Sequence, residues 1–201
     1  MRLFVALELE PPVRQRLWRT QADLQHGTEP EWVRWVQPDG IHLTLKFLGD
    51  VEAVKAEAIS TALNEATARH PRCAFTVSGL GAFPNPDRAR VIWVGLEDPD
   101  GTVAALQAGV ESALGKLGFE PETKPFRPHL TLGRVRDGIG REPAATLAHL
   151  LKTAPALDPL PTTSDKVALI QSQLRPTGAV YRVVSRHVLG GPAERLAEGE
   201  T

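Results

Sequence analysis

The chain has 201 residues, 23 Lys+Arg against 24 Asp+Glu, and 42% hydrophobic content, which fits one domain or two small ones with a core that needs no disulfide or metal staple. Its formal charge of −1 excludes a broadly basic nucleic-acid coat, though not a local basic cleft. The lone Cys73 forms no internal disulfide and the opening MRLFVALELEPPVRQRL is too short and too charged for a signal peptide or a membrane span, so a cytoplasmic protein without membrane attachment is expected.

Residues 2–10 (RLFVALELE) form an apolar run that reads as a buried strand, stopped by Pro11-Pro12. The two prolines open a helix with Val13, Leu17 and Leu24 on one face and Gly27 as its stop. Residues 31–36 alternate as a strand does, Pro38-Asp39-Gly40 supplies a turn, and residues 41–48 (IHLTLKFL) are the next strand. Asp50 stands where a cap is needed for a helix over 51–69, with Val54, Ala58, Ile59, Leu63 and Ala66 as its apolar stripe. The pattern then restarts. Strands over 73–80 and 90–96 flank a Gly/Pro-rich loop at 81–89; a helix over 102–117, a strand over 128–135 and a shorter helix over 142–151 follow. Residues 166–174 and 180–189 read as two strands joined by the turn Pro176-Thr177-Gly178. The last residues, 190–201, are small and polar and are expected to be a disordered tail after one bilobal domain over 1–189. Strands and helices alternate without GxGxxG, which favours an α+β layer fold over a dinucleotide-binding one.

A repeat carries the chemistry. His42-Leu43-Thr44-Leu45 recurs as His129-Leu130-Thr131-Leu132, 87 residues later, each copy in a predicted strand. A strand sends residues i and i+2 to one face, so His42 and Thr44 share a face, as do His129 and Thr131, while the leucines pack inward. If an approximate two-fold axis relates the halves, two imidazoles and two hydroxyls converge on one volume. Imidazole gives or takes a proton near neutral pH, and a hydroxyl donates to an oxyanion without adding charge. Two histidines and two such donors suit in-line displacement at phosphorus, with one His as base, the other as acid, and the threonines on the non-bridging oxygens.

Paired H-x-T-x motifs in a chain of this size resemble the 2H phosphoesterase superfamily. The opening RLFVALEL, the stretch HLTLKFLG (residues 42–49) and PHLTLGR (residues 128–134) are similar to its bacterial RNA 2′,3′-cyclic phosphodiesterase branch, formerly called 2′-5′ RNA ligase. The resemblance implies a duplicated bilobal α+β fold, with two antiparallel-rich sheets around a central groove and helices outside. It implies hydrolysis of RNA 2′,3′-cyclic phosphate ends to a 2′-phosphate, without metal or cofactor, by a chain expected to be a monomer. It also implies His42 as proton donor to the departing 3′-oxygen and His129 as the base that activates water. Identical motifs leave the two roles open at the level of the residues themselves.

The copies differ five residues on, where Phe47 and Arg134 stand. The resemblance implies that both flank the site, Arg134 near the phosphate. Strict alternation puts Phe47 on the core face with Leu43 and Leu45, and puts Lys46 on the His42 face as a possible substrate contact. Arg88 and Arg90, in and after the Pro-rich loop, are further possible RNA contacts. His26, His70, His149 and His187, Cys73 and the four tryptophans are read as structural, since no Cys/His group has metal-ligand spacing. Two alternatives stand beside the hydrolase. One is a reversible, ATP-independent 2′-5′ RNA ligase using the same site, the other a non-catalytic module that binds RNA ends; a phosphodiesterase for a small cyclic nucleotide or ADP-ribose cyclic phosphate is a third variant of the same chemistry.

Overall fold

The computed structural model describes residues 1–155, 157–175 and 178–190. Nine strands and four α-helices follow one another as β1 (Arg2–Leu7), α1 (Pro11–His26), β2 (Val33–Trp35), β3 (Leu43–Asp50), α2 (Ala56–Thr67), β4 (Cys73–Phe83), β5 (Val91–Glu97), α3 (Thr102–Gly115), β6 (His129–Val135), α4 (Arg141–Thr153), β7 (Leu160–Ser164), β8 (Lys166–Arg175) and β9 (Gly178–Val188). All pairings are antiparallel, in the order β7-β4-β5-β6-β3-β1-β8-β9, with β2 added beside β6. The two expected sheets are therefore one curled sheet, joined at its centre by the single bridge Leu43↔Leu130.

Leu43 and Leu130 are the same position of the repeat, so the pseudo-two-fold axis passes between them. The symmetry crosses the halves. β4 belongs to the first repeat yet pairs with β5, the opening strand of the second; its counterpart β8 pairs with β1. Registers match at the 87-residue offset: Gly81↔Trp93 in one half corresponds to Ala168↔Ala6 in the other.

The outer face is apolar and helix-covered. Leu3, Val5, Leu7, Leu43, Leu130 and Leu132 are buried there against Leu17, Ile59, Leu63, Leu106, Leu114 and Leu147 of the helices. Burying side chains of this size contributes about 1.5–3 kcal/mol each. The inner face carries a smaller cluster in one lobe, where Phe4, Ala6, Ala168 and Ile170 pack with Tyr181 and Val183.

Several boundaries differ from the sequence reading for identifiable reasons. Asp50 caps nothing. Val51 N–H donates to the Met1 carbonyl at 2.7 Å, which keeps the chain in strand geometry past Asp50, and α2 starts only at Ala56 after a 3₁₀ turn over Ala53–Lys55. Val54, expected in that helix's apolar stripe, is 80% exposed on this turn. β4 runs on through Gly81 to Phe83, where a loop was expected, because the glycine lets the chain pass under an indole: a Cβ at Gly81 would sit 2.4 Å from Trp93. β7 escapes the sequence pattern because Pro161 reads as a breaker, yet an edge strand tolerates proline. The expected turn at Pro176-Thr177 and the tail from 191 onward lie outside the described residues.

Candidate active site

The bridge Leu43↔Leu130 fixes the site. Its two leucines are fully buried on the outer face, so the flanking residues point to the inner face. Carrying the register one residue each way sets His42 across from Thr131 and Thr44 across from His129. The four residues meet at the seam between the lobes, each histidine beside the other motif's threonine.

Both histidines are anchored to the residue two positions before them. His129 Nδ1 lies 2.8 Å from the Arg127 carbonyl oxygen. A carbonyl only accepts, so Nδ1 carries the proton and Nε2 of the neutral ring keeps a free lone pair. His42 has a backbone hydrogen bond at Gly40, the position that corresponds to Arg127 in the repeat. Their surroundings then diverge. The His42 ring stacks on Phe4 at a centroid distance of 4.6 Å and meets Tyr181 edge-on at 5.3 Å. Burial between these rings pushes the His42 pKa down to about 4, although the Gly40 hydrogen bond favours the protonated form. His129 touches one ring, Phe83, edge-on at 5.0 Å.

Past the threonines, each motif strand has a β-bulge at the same place. The β1–β3 register steps over Leu45 and the β5–β6 register over Leu132, again 87 residues apart. An extra residue reverses the side-chain alternation beyond it. Strict alternation therefore fails for Lys46 and Phe47. Lys46 is turned to the outer face, 6% exposed, with Nζ 2.6 Å from Glu111 Oε2 of α3 and 2.8 Å from the Glu120 carbonyl. It is not on the His42 face and its ammonium is already held. Phe47, which strict alternation puts in the core and the resemblance puts beside the site, is 66% exposed on the inner side, its ring 5.9 Å from Phe4. In the second copy the corresponding outer position is Gly133, where a Cβ would fall 2.7 Å from Val33 and 2.8 Å from Trp35. The carbonyl of the bulged Leu132 accepts from Val36 N–H at 2.9 Å and from the buried Gln21 amide at 2.8 Å, so α1 pins the distortion.

Arg134 occupies the place of Phe47 and is exposed, paired in register with Val91 and on the inner face with Trp93, Thr131 and His129. Its charge reaches Tyr181: burial raises the phenol pKa and the Arg134 guanidinium opposes that rise. Arg134 thus faces across the groove toward the His42 lobe. Arg88, on the 3₁₀ turn Pro86–Arg88, and Arg90 are exposed at the same end of β5. Trp93 lies flat over Gly81, with its Nε1 buried and unpartnered among the described residues. His187 is buried between Asn64 and Ser185, which accounts for it structurally.

The sequence reading missed Phe4, Tyr181 and Phe83. Phe4 hides in a continuous apolar strand; Tyr181 had one signal, being the only tyrosine of the chain. Among the described residues, no group of three or more His, Cys, Asp or Glu is placed to hold a metal ion, and no helix is long and apolar enough to cross a membrane. A groove of about 490 Å³ between α2 and α3, bounded by Ala62, His70 and Lys116, shares no residue with the histidine seam.

A duplicated α+β sheet that brings two H-x-T-x strands together at a pseudo-two-fold axis is the architecture of a two-histidine phosphoesterase. The model of the LigT-like phosphoesterase family matches residues 7–93 and again 94–181, the same 87-residue offset, and the chain belongs to that family. It is 33% identical over 181 residues to a Methanothermobacter thermautotrophicus protein named RNA 2′,3′-cyclic phosphodiesterase, covering 90% of this chain and 95% of that one. An Escherichia coli protein of the same name is 34% identical over 135 residues, 66% of this chain and 71% of its own. Among solved structures, one from Thermus thermophilus superposes with a TM-score of 0.79 at 26% identity, covering 96% of this chain and all of that one. E. coli LigT complexed with 3′-AMP superposes at 0.71 with 26% identity, covering 94% and 97%.

Proposed function

We propose that this chain hydrolyses the 2′,3′-cyclic phosphate end of an RNA to a 2′-phosphate by two-histidine acid–base catalysis. The observation that carries the reading is the Leu43↔Leu130 bridge, whose register supports a site where two imidazoles and two threonine hydroxyls share one face of one seam. The family and the names of its relatives point to the same chemistry. His129, with Nδ1 committed to the Arg127 carbonyl, takes the proton of the attacking water on Nε2. Water attacks phosphorus in line as the P–O3′ bond breaks, and His42 delivers a proton to the leaving 3′-oxygen. Thr44 and Thr131 donate to the non-bridging oxygens, and Arg134 adds positive charge on the same face. His42 is neutral in the empty site; an arriving phosphodiester anion favours its charged form, so substrate itself loads the acid. The ring of Tyr181 shares this corner with His42.

The test is turnover of an oligoribonucleotide ended by a 2′,3′-cyclic phosphate, with the products resolved into 2′-phosphate, 3′-phosphate and ligated RNA. The 2′-phosphate is the expected product. His42→Ala and His129→Ala should each lower turnover by roughly 10²–10⁴-fold, the usual worth of a positioned acid or base. Ligated RNA as the dominant product would favour the ligase instead, and tight binding without turnover would favour a binding module.

A further inference from the structure

The pseudo-symmetry is broken by charge, most of all at one end of the groove. β2 pairs with β6 so that Arg34 stands directly opposite Arg134, with Val33↔Val135 and Trp35↔Gly133 on either side. Arg34 therefore shares the inner face with Arg134, Thr131 and His129, while its neighbours Val33 and Trp35 pack on the outer side over Gly133. Both arginines are exposed, and neither has an acidic partner among the described residues. Like charges directly opposite on adjacent strands are destabilising, so a bare arginine pair is unfavourable unless an anion comes between them. Arg90 and Arg88 lie exposed at the same end, where β5 begins beside Arg134. At the 87-residue offset Arg34, Arg88, Arg90 and Arg134 correspond to Pro121, Met1, Leu3 and Phe47. Four arginines at one end correspond to uncharged side chains in the other lobe, whose inner face carries Arg2 of β1 and the Met1 ammonium, the latter held by the Val51 carbonyl.

Resting on the phosphodiesterase reading, we infer that Arg34 binds the internucleotide phosphate preceding the cyclic end, so that the RNA body leaves the seam over Arg134 and Arg34. Thr131 and Arg134 are three residues apart, about 10 Å along an extended strand and less across the bulge, so the arginine pair lies beyond the reacting phosphate rather than on it. The planar guanidinium of Arg34 then contacts a phosphodiester that a cyclic mononucleotide lacks. Arg34 is a specificity residue for chain length and touches no reacting atom.

Turnover of a cyclic-phosphate-ended mononucleotide and of a matching tetranucleotide tests this, in the wild-type chain and in Arg34→Gln and Arg34→Lys. At low salt the wild type should prefer the tetranucleotide in kcat/KM by about tenfold or more. Arg34→Gln should cut that ratio at least about fivefold, mainly through KM, and Arg34→Lys should restore much of it. The salt slope of log kcat/KM for the tetranucleotide should fall in magnitude by about 0.7 in Arg34→Gln, the value of one phosphate contact to a single strand. A wild-type ratio near one, or the same ratio in Arg34→Gln, overturns the inference. If neither substrate turns over, the activity reading fails and binding decides the inference. Affinity for a 2′-phosphate-ended tetranucleotide, by fluorescence anisotropy, should weaken in Arg34→Gln while affinity for the mononucleotide 2′-phosphate holds; equal effects on both overturn it.

Discussion

His42 lies between Phe4 and Tyr181, and the rings exclude the water that would solvate an imidazolium. Its pKa near 4 sits well below the ordinary 6.5, which makes its protonation a report on what occupies the site. NMR titration should find His42 neutral in the free protein down to about pH 4, and a bound 2′-phosphate should raise the midpoint by at least about a unit. A free-protein midpoint near 6.5, or one that phosphate leaves unmoved, would contradict substrate-loaded protonation. The pair His42 and Thr44, with His129 and Thr131, was legible from the sequence, since residue type, strand period and repetition suffice to align them. Phe4 and Tyr181 were not legible, because both come from other strands and only the assembled sheet puts them against His42.

The bulges at Leu45 and Leu132 decide which face Lys46, Phe47 and Arg134 occupy. Period-2 reasoning holds up to the bulge and inverts after it, so the same rule that placed His42 and Thr44 together misplaced Lys46 and Phe47. No single residue announces the bulge, which is set by pairing with β1 and β5. Lys46 is thereby a structural residue that ties β3 to α3 through Glu111. With its side chain 4% exposed and that of Glu111 17%, removing one partner strands the other charge largely out of water. Lys46→Ala is expected to lower unfolding free energy by about 2–4 kcal/mol in urea denaturation. Turnover per folded molecule should stay near wild type; a large rise in KM with unchanged stability would instead return Lys46 to the substrate.

At the scale of the whole molecule, buried histidines couple folding to acidity. His42 and His187 both have pKa values depressed by burial. Below the unfolded value of about 6.5 the unfolded chain binds protons that the folded one refuses, so stability is full above that pH and declines as pH falls toward about 4. Urea midpoints measured from pH 7 to pH 4 should drop across this window, and His42→Asn should remove part of the slope; an unaltered slope would mean His42 titrates alike in both states. The helix and strand order was readable from periodicity across most of the chain, but the path of the sheet was not. Local patterns are silent about β4 joining β5 and β8 joining β1, contacts made between repeats. That exchange has a consequence for how small the catalytic unit can be. A polypeptide carrying one repeat alone would leave its opening strand paired on one edge only and its closing strand without a home. It would finish its sheet only on a second copy, trading strands across the axis through the two leucines, and in that pairing the second histidine would arrive with the second chain. Duplication within one chain turns this mutual borrowing into a permanent tether, which frees each half to diverge: one keeps phenylalanine where the other gains arginine, and a groove that symmetry would make indifferent to direction acquires a head and a tail.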